Sequence, residues 1–568
     1  MLRGKMIINF HDMPDETILA ADICIVGSGP SGLALAREFL NTKTRVIVLE
    51  TGGTGYEPLS ESLNAGISIG IPFNGLTEGR RRQFGGAANT WGAVCVEMDH
   101  SDFEHRSWIP GSGWPINATD IAPFYRRART MVRMSRTDYD AIDWRAFGMQ
   151  APAFNPHEIR FSVVGTTPIP NIAKTYFDDF RNATNIQTLL HAHVTELRTT
   201  ADGLTIDQVD IRSLNGKRGI IKARAVVLCC GGIENARLLL MSRGVHQHGL
   251  GNTYDLVGRY YADHTISYSA NIVTPPGQPL QPIFRSLRRR QSNLRPRLSL
   301  SAESQERASV LNCMAQIVFE HPSDGGFRAA LALRKAIRFR RAPTDLSANL
   351  INIISHPKEL AGMAIDRYLR GLHPADENSI PRLECRAEQL PDPESRITLS
   401  EKVDAFGRPL PIIDWHTNDL EYRTVCHMTN MVSQEFERLR LGRLEPEPWI
   451  INNDRSSWQT LLHEGFHHMG TTRMANSPRN GVVDVNANVY GVRGLYVAGT
   501  SGFPNSGFAN GALTMIALSI RLADHLKQTL HQPTLTIAKI LSKNKDACCY
   551  ITHMHRPNRY QFDDTRQR

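Results

Sequence analysis

Two stretches of this sequence carry residue types at spacings that can do chemistry. Gly27-Ser28-Gly29-Pro30-Ser31-Gly32 follows an apolar run, Ile23-Cys24-Ile25-Val26, and precedes a helix-like segment, Leu33 to Leu40. Glycines so spaced permit a tight turn and let backbone N–H groups approach phosphate oxygens at a helix N-terminus. A second apolar run, Arg45 to Leu49, ends on Glu50, where a carboxylate meets ribose hydroxyls. The other stretch is His467-His468-Met469-Gly470-Thr471-Thr472-Arg473-Met474, with Asn510 downstream in Phe508 to Thr514. A neutral imidazole, with an ordinary pKa of about 6.5, is suited to accepting a proton near neutral pH.

His463-Glu464-Gly465-Phe466-His467 also satisfies the HExxH pattern. In that pattern two histidines on one helical face bind zinc and the glutamate acts as base, the reading of a metallopeptidase. Its extended form needs a histidine at position 473, where Arg473 stands, and Gly465 weakens the required helix. It also leaves Gly27 to Glu50 without a purpose. We therefore expect no metal site.

The elements that must position these residues are those of an α/β protein. Strand, glycine turn, helix and second strand over Ile23 to Glu50 make a dinucleotide-binding βαβ unit. A later strand, Arg224 to Leu228, runs into Gly231-Gly232 and a helix, Ile233 to Met241, which suggests another part of the same sheet. Asn510 stands at or just before the start of an amphipathic helix reaching about Leu526, where capping is its bland role. The N–H groups of Ala512 and Leu513 at that helix start are placed to face an electron-rich ring oxygen. We expect a Rossmann-like cofactor domain over 18–114, 189–266 and 455–530. A sheet-plus-helices substrate domain is inserted over 115–188 and 267–454, and 543–568 forms a peripheral tail.

Gross composition excludes other classes. The 568 residues, 41% hydrophobic and 21% charged, suit a large-cored globular enzyme. The net charge of +9 is modest and spread out, so no nucleic-acid partner is demanded. No apolar stretch approaches the roughly 20 residues of a membrane span. Met1 to Ala20 does not read as a signal peptide. Nine cysteines without disulfide spacing fit a reducing, cytoplasmic setting. Cys229-Cys230 follows the apolar strand and reads as core. The basic segments Arg285 to Arg297 and Arg328 to Arg341 could dock a redox partner; the second, with apolar residues among its arginines, also suits a membrane-surface or anionic-partner helix, although a solvated amphipathic face is favoured.

Taken in order, these blocks resemble the glucose-methanol-choline (GMC) oxidoreductases. Arg82-Gln83-Phe84-Gly85-Gly86-Ala87-Ala88-Asn89-Thr90-Trp91-Gly92 is similar to that family's second signature, a Gly-Gly loop running along the flavin. Gly113-Trp114-Pro115 and Pro123-Phe124-Tyr125 fit its next segment. The His-x-Met-Gly-Thr-Thr-Arg-Met and Ala-Asn-x-x-Leu-Thr patterns resemble the His/Asn branch, which includes pyranose oxidases and bacterial sugar and polyol dehydrogenases. The resemblance implies FAD bound by Gly27, Ser28, Gly29, Ser31, Gly32 and Glu50. It implies further contacts from Gly85, Gly86, Asn89, Trp91, Gly92 and Val194, and from Gly231, Gly499, Thr500, Ala512 and Leu513. It implies His467 as base and Asn510 as its partner in oxidising a sugar, glycoside, polyol or other alcohol by hydride transfer to flavin N5. Oxygen, a quinone or a redox protein would accept the electrons. The chain departs from the family pattern at Gly511, where proline is usual, and at Gly499-Thr500, where many relatives carry aspartate. Thr90 stands where pyranose oxidases have the histidine that links to flavin, so FAD is expected to be non-covalent.

Overall fold

The computed structural model describes residues 6–134, 151–289, 292–320, 325–339, 345–365 and 379–530. The expected tail, Cys548-Cys549 and Arg340-Arg341 lie outside them. Ile23 to Val26 pair in parallel with Val46 to Leu49, and the helix Pro30–Arg37 connects the two strands. These strands read as continuous apolar runs because both faces of a parallel sheet are covered. All of Ile23 to Val26 and Val46 to Leu49 are buried.

Arg218–Leu228 lies parallel on the other side of Thr17–Val26. Its first half pairs antiparallel with Ile206–Arg212, and its last three residues pair in parallel with Leu495–Val497. Ile186–Leu190 extends the opposite edge beside Val46–Leu49, and Ile7–Asn9 closes it. The result is an eight-stranded sheet with Thr17–Val26 near its middle. Neighbours reached by opposite connections flank that strand, so its carboxyl end opens a crevice where ligands bind.

The span 115–188, expected wholly on the substrate side, divides between the two bodies. Ile121, Tyr125, Ala128 and Met131 of the helix Ala118–Met131 pack in the first core with Leu513 and Ile516. Ile186–Leu190 is a strand of the first sheet. Among the described residues of this span, Ile159–Thr166 is the strand that joins the second sheet, beside Ser292–Leu300.

That second sheet has nine strands, antiparallel throughout. Side chains alternate between its faces. Leu298, Leu300, Ala315, Leu383 and Cys385 share a core with Val425, Met428, Val432 and Phe436 of the helix Asp419–Arg438. A small sheet of Ile67–Gly70, Pro409–Trp415 and Arg396–Val403 completes the architecture. Gly326–Phe339, which overlaps the second basic segment, is a helix, as its apolar spacing suggests. Among the described residues no helix is long and apolar enough to cross a membrane.

One buried ion pair ties the pieces together. Arg106 grips Glu388 in bidentate fashion at 2.8 and 2.6 Å, and the side chains are 4% and 0% exposed. Glu388 also accepts from the backbone of Asn312 and Gly507. Removing one partner strands the other charge, so Glu388→Ala should cost about 3–5 kcal/mol in denaturant unfolding. A double apolar replacement of Arg106 and Glu388 should cost less. Equal losses would refute the role of the stranded charge.

Candidate active site

The Gly27 to Gly32 turn is shaped by sterics. Gly27 has φ +102°, and a Cβ there would stand 2.7 Å from Cys229 O. At Gly32 a Cβ would stand 2.0 Å from Gly27 O. Gly29 is different: its nearest neighbour would be Cys229 O at 4.0 Å, so the space beside it is open. That space belongs to a cavity of about 370 Å³ bordered by Gly27, Gly29, Ser31 and Glu50. The first N–H groups of the Pro30–Arg37 helix have no partners within the helix and suit a pyrophosphate. The residues present therefore fit FAD.

Glu50 is 6% exposed and accepts from Ser28 Oγ at 2.5 Å, Ser28 N at 3.3 Å and Gly52 N at 3.1 Å. Burial raises its pKa, opposed by those hydrogen bonds and by Arg82. It borders the cavity and also braces the glycine turn.

The cavity is further bordered by Gly86, Trp91, Gly92 and Val194, then by Gly231, Gly499, Thr500 and Ala512. Five residues expected there are not among its walls. Ser28 turns to Glu50 and accepts from Gly85 N at 3.2 Å. Asn89 donates to Phe84 O and Gly86 O at 3.0 and 2.9 Å, fixing the Gly-Gly loop from behind. Gly32 and Gly85 supply close packing, and Leu513 is buried in the first core. These shape the cradle rather than line it.

Other wall residues escaped the sequence reading. Arg80 and Arg82 border the cavity and meet Glu234 at 2.9 and 3.0 Å. The run Arg80-Arg81-Arg82 before Gln83 was the available signal. Cys229 and Cys230, read as core, are free thiols that also border the cavity. His468 does so too, its ring edge-on to Phe73 at 5.4 Å, with burial pushing its pKa down to about 3.

The HExxH helix does not form. His463–Glu464 is a two-residue strand paired with Thr265 and Ile266. The chain then turns through Phe466, at φ +56°, and presents His467 to the cavity. Asp263 holds this turn, its Oδ1 accepting from the backbone N of His264, Gly465 and His467 at 2.7, 3.1 and 3.0 Å. Burial pushes the Asp263 carboxyl up to about 7. Asp263, His264 and His467 bring ligand-type atoms within 4.8 Å of one another, but hydrogen bonds already join the three.

Those bonds determine a tautomer. His264 Nε2 lies 2.8 Å from Gly507 O, which can only accept, so Nε2 carries the proton. Burial pushes the His264 pKa down to about 3, leaving its Nδ1 a bare acceptor. His467 Nδ1 is 2.8 Å away and must donate to it. The lone pair of His467 is therefore on Nε2, 3.1 Å from Asn510 Nδ2, which donates. Burial first, then His264 and Arg386, hold the His467 pKa well below 6.5, so the ring is neutral at physiological pH. Asn510 lies before Gly511 and the helix Ala512–Leu530, so its side chain serves His467 rather than a cap. His264 and Asp263 stand some 200 residues from His467, and no local pattern marked them.

Residues 391–519 match the GMC oxidoreductase family. A 2-methyl-1,2-propanediol dehydrogenase from Mycolicibacterium austroafricanum is 25% identical, over 89% of this chain and 95% of that one. A fructose dehydrogenase large subunit from Gluconobacter japonicus is also 25% identical, over 55% of this chain and only 48% of that one. Among solved structures, a formate oxidase is similar at a TM-score of 0.52 and 14% identity, covering 91% of this chain and 100% of its own. A cofactor cradle and a His/Asn pair thus share one cavity in a chain whose residues 391–519 form a GMC oxidoreductase domain and which resembles such enzymes along most of its length.

Proposed function

We propose that this protein oxidises a primary or secondary hydroxyl of a sugar, glycoside or polyol to a carbonyl, with His467 as base. The observation that carries the reading is the bare Nε2 of His467 beside Asn510 Nδ2 on the wall of the cofactor cavity. An alcohol entering between them would donate its proton to Nε2 and accept from Nδ2–H. His467 then takes the proton, while Asn510 holds the oxygen in place. FAD, when bound, supplies the acceptor for the hydride that must leave the same carbon. Oxygen, a quinone or a redox protein would finally take up the electrons. The dehydrogenases of a diol and of fructose among the relatives support this substrate class.

The flavin is held without a covalent link, since Thr90, which borders the cavity, lacks a ring nitrogen to attach it. Acid precipitation should release all yellow colour into the supernatant; colour retained in the pellet would refute this. Gly29→Leu would fill the open space beside the turn and should yield colourless protein. His467→Ala should slow anaerobic flavin bleaching by about 10²–10⁴-fold with FAD still bound. Unchanged bleaching would sink the assignment of the base. Because the His467 pKa is depressed, its acid limb in kcat/KM should fall below pH 6.5. A limb near 7 would belong to Asp263 only if Asp263→Asn removes it. A limb at 6.5 or above that survives this change would contradict the neutral, desolvated ring.

A further inference from the structure

The inner face of the second sheet is built around arginine. Strand alternation puts Leu294, Leu298 and Leu300 on one side of Ser292–Leu300 and Arg295, Arg297 and Ser299 on the other. Ser299 stands opposite Met314, which stands opposite Arg386, and Arg386 in turn stands opposite Ile266. Arg295, Arg297 and Arg386 thus share the face turned away from the Asp419–Arg438 helix. Register brings this face towards the His467 turn: Ile266, two residues after His264, stands opposite Arg386 on one side and His463 on the other. Arg386 and Arg297 accordingly help to lower the pKa of both His264 and His467. The stretch Arg285 to Arg297, considered for docking a partner, sends its last arginines inward.

Among the described residues, these three guanidiniums have no carboxylate within ion-pair distance. Arg297 is 3% exposed, and its one side-chain hydrogen bond goes to Met314 Sδ at 3.1 Å. Its Nε and that of Arg386 are buried without a partner. Among the described residues, neither Arg295 nor Arg386 forms an ion pair. Burial lowers the pKa of all three, so their charge is poorly solvated. The carboxylate that most offsets them, Glu384, is engaged by Gln316 Nε2 at 2.6 Å. The contrast with Arg382 on the same strand is direct: it pairs with Glu320 and Glu447 at 3.1 and 2.8 Å. A buried guanidinium without a counter-charge is costly, and the buried Arg106 and Arg237 are each paired with a carboxylate.

Resting on the alcohol-oxidase reading above, we propose that the substrate carries an anionic group, a carboxylate or a phosphate, which Arg386, Arg297 and Arg295 receive while its hydroxyl meets His467. Guanidinium forks match both groups in geometry and charge. The substrate's charge has a second effect. It offsets the arginines that depress the His467 pKa, so the base strengthens when substrate is seated.

The test is anaerobic flavin bleaching of the holoenzyme by matched sets: glycerol, glycerate and glycerol 3-phosphate, then glucose, gluconate and glucose 6-phosphate. The apparent second-order rate for an anionic member should exceed its neutral counterpart by at least about tenfold. The carboxylate and phosphate arms identify which group is read. In Arg386→Gln and Arg297→Gln the anionic-to-neutral ratio should collapse towards one, and the acid limb should move up in pH. Should those variants not fold, wild-type protein decides: acetate or inorganic phosphate should inhibit oxidation of a neutral alcohol competitively. Equal rates for neutral and anionic members, with no such inhibition, would overturn the inference and leave the alcohol-oxidase reading intact. Failure of every alcohol to bleach the flavin would overturn both.

Discussion

The proposed chemistry depends on one hydrogen-bonded line: Gly507 O, the two imidazoles of His264 and His467, and the amide of Asn510. Each member leaves the next a single choice of donor or acceptor, so a carbonyl oxygen at one end determines where a lone pair appears at the other. That carbonyl is itself held. Glu388 accepts from Gly507 N and is locked by Arg106, while Asp263 gathers three N–H groups around the His467 turn. Neither sheet could assemble this line alone. His264 enters the second sheet, and Asn510 introduces the last described helix of the first core.

The cofactor cradle is governed by a different limit, the closeness with which two stretches of backbone can pass. Gly27 admits Cys229 O, Gly32 admits Gly27 O, and Gly86 lies against Gly29 at a distance no side chain would allow. Glu50 on the cavity wall, with Ser28 and Asn89 behind it, keeps these passages in register. The glycine loop, the Gly-Gly loop and the end of the central strand form one unit. Charge is handled in the same economical way at Glu234, which is shared by Arg80, Arg82 and Arg237.

What could be read in the sequence was local. Gly27 to Glu50, the His467 block and Asn510 each announce themselves within a few dozen residues, because turn sterics and helix starts act over that range. His264 does not, since its meaning arises only when a strand start is laid against a turn some 200 residues later. The division of 115–188 was illegible for the same reason: Ile186–Leu190 becomes part of the first sheet only by pairing with Val46–Leu49. HExxH shows the converse: a complete local pattern, set aside in the sequence on Gly465 and Arg473, lies in a strand paired with Thr265 and Ile266. The inward arginines were visible as a basic run, yet only strand alternation separates those facing the site from those facing solvent.

The central sheet also imposes an order on the making of the molecule. Val226–Leu228 finds its parallel neighbour in Leu495–Val497, from the far end of the described chain. A ribosome adding roughly 5–20 residues per second takes on the order of ten to fifty seconds to reach that neighbour. Through that interval an apolar strand edge stands open in the nascent chain, and Asn510 has yet to be made. Closing the cofactor cavity at Gly499 and Thr500 and bringing Asn510 to His467 therefore become late, nearly simultaneous events of its synthesis.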